Sequence, residues 1–287
     1  MLKIHLKKRV NRSLGGTIVI FMVLVIIAVF MGLPLVFSIS NSLKPLSELF
    51  IFPPRIIVQS PTLENFSEIF TSLASSWVPF LRYLFNSLFI TFVTTFFHII
   101  FASLAAYPLA KMKFRGRTFL FSTVVISLMF VRDVTVVPSF LIFSSTHLLN
   151  TPLTLILPSV ASGMGLFLMK QFIEAMIHDS LLEAARIDGA SEITIWRKVV
   201  MPAVKPAWLT LILFSVQGVW NQTGGNLIFD EQRKTLPFAI NQISMGGIAR
   251  AGASAAAVVL MMVVPIAVFL ITQSSIMETM STSGIKE

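Results

Sequence analysis

The groups from which this 287-residue chain could build a reactive centre are few: four histidines, thirteen acidic residues and no cysteine. Without cysteine there is no thiolate nucleophile, no disulfide framework and no cysteine-ligated metal. His5, His98, His147 and His178 are scattered without ligand spacing, and no HExxH, serine–histidine pair or facing pair of acidic motifs is visible. The glycine-rich stretches "SGMG" and "SMGGIARAGAS" lack the Lys-Ser or Lys-Thr ending of a phosphate-binding loop, and no strand precedes either. An intramembrane hydrolase or transferase therefore has no constellation to work with. Three polar clusters remain as candidates: Arg132–Asp133, Trp220–Asn221, and the long passage "SLLEAARIDGASEITIWRKVVMP" from Ser180 to Pro202.

Each cluster admits two readings from its residue types. An indole can stack on the apolar face of a pyranose while a carboxamide both donates to and accepts from its hydroxyls, so Trp220 and Asn221 are candidates for a solute path. An interfacial aromatic anchor followed by a polar helix end is the alternative. Arg132 and Asp133 sit inside an apolar run, where charge is costly and faces protein or water; they either neutralise each other in a packed site or line a path. His98 reads as a buried, hydrogen-bonded histidine.

In the long passage, Ser180 and Glu183 have capping-box spacing, which predicts a short helix starting at Ser180. Gly189 can end it in a left-handed turn, and Ser191 can cap a second helix. There Ile195, Trp196, Val199 and Val200 form an apolar stripe, Arg197 and Lys198 face elsewhere, and Pro202 ends the element. The small pair Ala184–Ala185 permits close seating in a partner's groove, which an interfacial connector without a partner does not need.

The elements that must carry these clusters are membrane spans. The chain is 55% hydrophobic and 12% charged, outside the range of a soluble globule. Crossing a bilayer core takes about 20 apolar residues, and such runs occur around 17–40, 84–110, 118–142, 152–170, 206–222 and 254–276. The expected fold is an all-α integral membrane protein of six transmembrane helices. Pro138, Pro158 and Pro265 are expected to kink or break their spans. Lys3, Lys7, Lys8, Arg9 and Arg12 precede the first run, which is too long and lacks the small-residue site of a cleaved leader. Lys111, Lys113, Arg115 and Arg117 follow the second. The 42–80 loop carries only Lys44 and Arg55 against Glu48, Glu64 and Glu68. Both termini and the Ser180–Pro202 passage thus fall on the cytoplasmic side. The net charge of +9 is accounted for by these flanks and needs no nucleic acid.

The order Glu183, Ala184, Ala185, three residues, Gly189, nine residues, then Val199 to Pro202 resembles the EAA loop of binding-protein-dependent ABC importer permeases. "EAARIDGAS" is similar to the carbohydrate-uptake branch, and "PTLENF", "NSL", "AAYPLAKMKFRGR", "VPSFLIF", "GVWNQ" with "TLPFAI", and "GIKE" extend the likeness along nearly the whole chain. The resemblance implies a basic segment 1–16, a six-span domain 17–276 with a coupling loop at 179–206 between spans four and five, and a tail 277–287. It implies that Glu183, Ala184, Ala185, Asp188, Gly189, Ala190 and Pro202 serve coupling to an ATPase. The implied partners are a homologous second permease, two ATPase subunits that hold ATP and Mg, an external solute-binding protein and membrane lipid. This chain would bind no cofactor. Such a protein resides in a bacterial or archaeal inner membrane, and its family context around Trp220–Asn221 favours a sugar over the polyamines or amino acids served by other branches. Gln222 replaces the family's usual acidic residue, and Val131–Arg132 replaces a proline and a small residue.

Overall fold

The structure, a computed structural model, describes residues 14–74, 78–130 and 132–283, with side chains given for all of these except 14, 72–74, 132–133 and 274–283. The basic residues Lys3 to Arg12, Val131 and the terminal "GIKE" lie outside the described residues. Every regular element among them is helical: α1 (Leu14–Ser42), α2 (Leu46–Leu49), α3 (Glu64–Ala74), α4 (Phe80–Lys111), α5 (Arg117–Ser127), α6 (Arg132–Ser145), α7 (Leu153–Val160), α8 (Gly163–Met176), α9 (Asp179–Ile187), α10 (Glu192–Ile195), a π turn at Trp196–Val200, α11 (Met201–Ala203), α12 (Lys205–Trp220), α13 (Leu236–Ser244) and α14 (Ala251–Ser283).

Among the described residues, four stretches are long and apolar enough to cross a bilayer: Gly15–Ser42, Phe80–Lys111, Leu153–Met176 and Gly247–Gln273. A fifth arises if Glu192–Ala203 and Lys205–Trp220, bent by 80°, count as one span. The expected third span, 118–142, is instead two shorter helices, α5 and α6, parted by a turn at Leu128 to Phe130. Pro138 and Pro265 lie within continuous helices, and the fourth span parts at Ala161–Ser162, three residues beyond Pro158. The last helix runs to Ser283, so residues 277–283 continue it rather than forming a separate tail.

The central element is α4, which packs against α8, α12 and α7. Its buried stripe, Ser87, Thr91, Thr94, His98, Ala102 and Ala106, recurs every three or four residues, one helical face. These side chains are small or polar, so neighbouring backbones approach closely, the packing that favours helix association where lipid offers no hydrophobic drive. The other face shows Phe85, Phe89, Phe92 and Phe96 outward. Similarly α14 presents Ala253, Ala256 and Ala257, all fully buried, near its start, and packs on α1 and α12. The link after α1 is pinned by Asn65, whose carboxamide donates to the carbonyls of Ser42 (2.9 Å) and Lys44 (2.7 Å). One of these belongs to the last residue of α1, where helical partners run out.

Candidate functional site

Helices α9 and α10 form the expected helix–turn–helix, with two changes at its ends. The first helix starts at Asp179 with His178 as its N-terminal neighbour and no side-chain cap, so Ser180 lies inside it and the Ser180–Glu183 box is not its start. Asp179 is engaged elsewhere, accepting from Lys111 Nζ at 2.8 Å. Gly189 takes φ +78°, and the amides of Gly189 and Ala190 return to the carbonyls of Arg186 and Ala185, both at 3.0 Å, closing the turn as expected. Ser191 caps α10 by accepting from the Thr194 amide. Ile195 and Val200 are fully buried, while Arg197 and Lys198 are exposed.

Pro202 does not end the element. Lacking an amide hydrogen, it cannot complete the ordinary bond to the Lys198 carbonyl. The chain widens into the π turn just before it, with the Met201 amide reaching back to Trp196, and the bend falls at Val204 instead. Outward from this segment face Glu183, Ala184, Asp188 and Gly189, with Ile187 85% and Ile193 72% exposed. Ala185 and Ala190 are half-buried against the cluster formed by α4, α8 and α12.

Two polar links hold the segment to α4. Besides Lys111–Asp179, the Tyr107 hydroxyl donates to Glu192 Oε2 at 2.6 Å, and Arg186 Nε donates to Glu192 Oε1 at 2.8 Å. The Glu192 hydrogen bond holds Arg186 above its ordinary range. Arg117 caps the end of α4 through the carbonyls of Leu109 (2.8 Å) and Ala110 (3.1 Å). Tyr107, Lys111, Arg186 and Glu192 were missed as a set by sequence reasoning; the signal was the spacing of four between Tyr107 and Lys111, which stacks them on one helical face. The hydrogen bond and charge of Lys111 hold the Asp179 carboxyl below the usual carboxylate range. A carboxylate depressed in the folded state stabilises above its unfolded pKa, near 3.9, and loses that contribution as pH falls through the lowered folded value. Melting temperatures of wild type and Asp179→Asn should differ at neutral pH and converge in acid; a gap that stays constant to pH 3 would contradict the link.

A cavity of about 860 Å³ lies between α6, α7, α8 and α12, with His98 of α4 at its wall. It carries the hydroxyls of Thr135, Ser139, Ser159, Ser162, Ser215 and Thr223 and the carboxamides of Gln222 and Asn226, set among phenylalanine rings. Gln222 Nε2 donates to Ser159 Oγ at 3.0 Å. Asn150 holds the 222–230 loop over this space, its side chain accepting from the amides of Phe229 and Asp230. His98 is buried and hydrogen-bonded, as expected: Nδ1 lies 2.9 Å from the carbonyl of Val160. That carbonyl is an acceptor at the end of α7, so Nδ1 carries the proton. Among the described residues, no three histidine or acidic side chains are grouped for a metal.

Trp220 is not at this cavity. It is 1% exposed and packed among Ile69, Val78, Phe80, Tyr83 and the small residues of α14. Its Nε1 donates to the Met261 carbonyl at 2.9 Å. Pro265, four residues on, has no amide hydrogen to offer that carbonyl, so the indole fills a vacancy in the helix ladder. This replaces both readings of Trp220, sugar platform and interfacial anchor. Asn221, exposed, donates to Gln217 within its own helix; the next residue, Gln222, is the one that reaches the cavity. Arg132 and Asp133 open α6 between the lining residues Phe130 and Thr135, and their side chains lie outside the described residues.

Apolar spans around a polar cavity, joined to an outward-facing helix–turn–helix, define a membrane transport subunit. The chain belongs to the family described as binding-protein-dependent transport system inner membrane component, which it matches over residues 1–278. It is 32% identical to Protein LplC of Bacillus subtilis over 220 residues, 74% of this chain and 70% of that protein. It is 30% identical to the melibiose/raffinose/stachyose import permease protein MelC of the same organism over 267 residues, 88% of this chain and 91% of the other. A solved bacterial ABC transporter involved in the import of the acidic polysaccharide alginate shares the fold, with a TM-score of 0.76 at 22% identity over 93% of this chain and 98% of that one.

Proposed function

We propose that this permease forms one half of the path of an ABC importer for a sugar or oligosaccharide, with a homologous second permease completing it. The observation that carries the choice of solute is the cavity lining: hydroxyls, carboxamides and aromatic rings among apolar side chains, with the His98 imidazole at the wall and no Asp, Glu, Lys or Arg side chain among the described residues. Such a wall suits a polyhydroxylated solute, and among the described residues it offers no carboxylate to the ammonium groups of a polyamine and no paired charges to an amino acid. Sugar import by the MelC relative supports the same reading. Arg132 and Asp133 remain path residues of the proposal, as an opposed pair beside the lining. The sixth crossing is made by α5 and α6 together, both termini face the cytoplasm, and an external binding protein delivers the solute. ATP and Mg are held by two ATPase subunits and not by this chain. Stimulation of ATP hydrolysis in the reconstituted complex, measured with neutral oligosaccharides, amino acids and spermidine, tests it. Stimulation by spermidine alone would overturn the choice of sugar.

In this reading α9 and the turn at Gly189 dock on an ATPase subunit through Glu183, Ala184, Asp188, Gly189 and the exposed Ile187 and Ile193, with Ala185, Ala190 and Pro202 holding their shape. A Cβ at Gly189 meets nothing within 4 Å, so Gly189→Val costs this chain only the left-handed backbone strain, about 1–2 kcal/mol. Glu183→Lys reverses an exposed charge and leaves the fold intact. Both variants should insert normally yet co-purify with less ATPase than wild type. Wild-type yields of ATPase with both would remove this face from the interface.

A further inference from the structure

We infer that α4 is the rod that carries movement from the docking segment to the cavity wall, with Lys111 and Tyr107 as its input contacts and His98 as its output contact. The inference rests on the permease reading above and assigns to particular side chains a task that the reading leaves open.

At the input end, Lys111 holds the first residue of α9 and Tyr107 holds the first residue of α10, at 2.8 Å and 2.6 Å. Leu182 and Ile195, 1% and 0% exposed, share one buried apolar cluster with Ala106 and Ala110 of α4. Arg186 joins α9 to α10 through the same Glu192 carboxylate. Two fastenings and an apolar seal deny the docking segment an independent pivot, so displacing it displaces the end of α4.

At the output end, nine residues and about 14 Å up the helix at 1.5 Å per residue, His98 donates to the Val160 carbonyl at the break between α7 and α8. Its ring lies so close over Gly165 that a Cβ there would fall 2.0 Å from Nε2. Thr95 meets Ser215 of α12 at 3.0 Å. Val160 precedes the lining residue Ser162, and Ser215 is itself part of the lining, so both contacts end at the cavity. The covalent route from α11 into α12 turns by 80° at Val204, so it does not run straight from the segment to the cavity. Coupling needs contacts that both sites bias, and α4 supplies them at both ends.

The absence of cysteine permits a readout that needs no knowledge of the solute. Ser162 stands before α8 without a capping bond, so Ser162→Cys places a reporter in the cavity wall. The full complex is labelled with a trimethylammonium methanethiosulfonate, nucleotide-free and after trapping with MgATP and vanadate. The labelling rate is expected to differ between the two states. Adding Tyr107→Phe and Lys111→Asp should shrink that difference by about twofold to thirtyfold, the span of measured coupling changes. Further addition of Asp179→Lys, which reverses the Lys111–Asp179 pair, should restore part of it, an outcome that mere loss of packing would not give. A full response in the Tyr107→Phe, Lys111→Asp chain overturns the inference while leaving the permease reading intact. If that chain does not assemble, Tyr107→Phe alone is decisive, because an undiminished response in it overturns the inference equally. Failure of the Ser162→Cys chain to bring down any ATPase overturns the permease reading and the inference with it.

Discussion

Truncating Trp220 to alanine should destabilise the assembled complex by about 3–5 kcal/mol, the usual cost of removing a large buried aromatic, and reduce uptake only in proportion to folded protein. The indole fills the space between α12, α4 and the alanine-lined start of α14 and does not line the polar cavity. Two effects can be separated. Trp220→Phe keeps most of the volume but withdraws the donor from the Met261 carbonyl, for about 1 kcal/mol. In a Pro265→Ala background α14 regains the amide that this carbonyl lacks, so the same substitution should cost less there. Thermal unfolding of the four chains, followed by size-exclusion chromatography, gives the coupling between the sites. Equal costs of Trp220→Phe in both backgrounds would show that the indole does not repair the proline gap, and a raised KM for uptake with unchanged folding would return Trp220 to the path.

The error over Trp220 shows where sequence reasoning fails in a membrane protein. Periodicity identifies the face of a soluble helix that meets the core because water covers the other. In α12 both faces are apolar, since lipid and protein interior make the same demand, so nothing in "LFSVQGVWNQ" tells an inward indole from an interfacial one. The helix–turn–helix of α9 and α10 was legible for the opposite reason. It lies outside the four long apolar spans, so its glycine at positive φ, the Ser191 cap and the stripe of Ile195 and Val200 follow rules written for water. The break between α5 and α6 left little trace, because the turn at Leu128 to Phe130 contains no glycine or proline. Ser180 and Asp179 compete to start α9, and the tertiary contact of Asp179 with Lys111 accompanies the earlier start. Gln222 was noted only as a departure from relatives; its contact with Ser159 depends on a loop pinned by Asn150, more than seventy residues away in sequence.

Gly165→Ala should be nearly as damaging as loss of the Trp220 side chain, although it adds one carbon. That carbon would sit 2.0 Å from Nε2 and 2.2 Å from Cε1 of His98, well inside contact distance. The ring cannot yield freely: it is 4% exposed and its Nδ1 is held by the Val160 carbonyl. Either the imidazole swings out, leaving a carbonyl at the end of α7 unpaired, or α4 and α8 separate along their most extensive contact. Overpacking costs about 1–3 kcal/mol and the lost hydrogen bond about 1 more, so a total of about 2–4 kcal/mol is expected in the thermal stability of the complex. His98→Ala alone removes the bond and opens a void. Combined with Gly165→Ala it removes the collision as well, so the double variant should be more stable than Gly165→Ala alone despite carrying two changes. That reversal of order is the diagnostic result, since independent sites would add. A double variant less stable than either single one would mean that the helices, and not the histidine, set the clearance at Gly165.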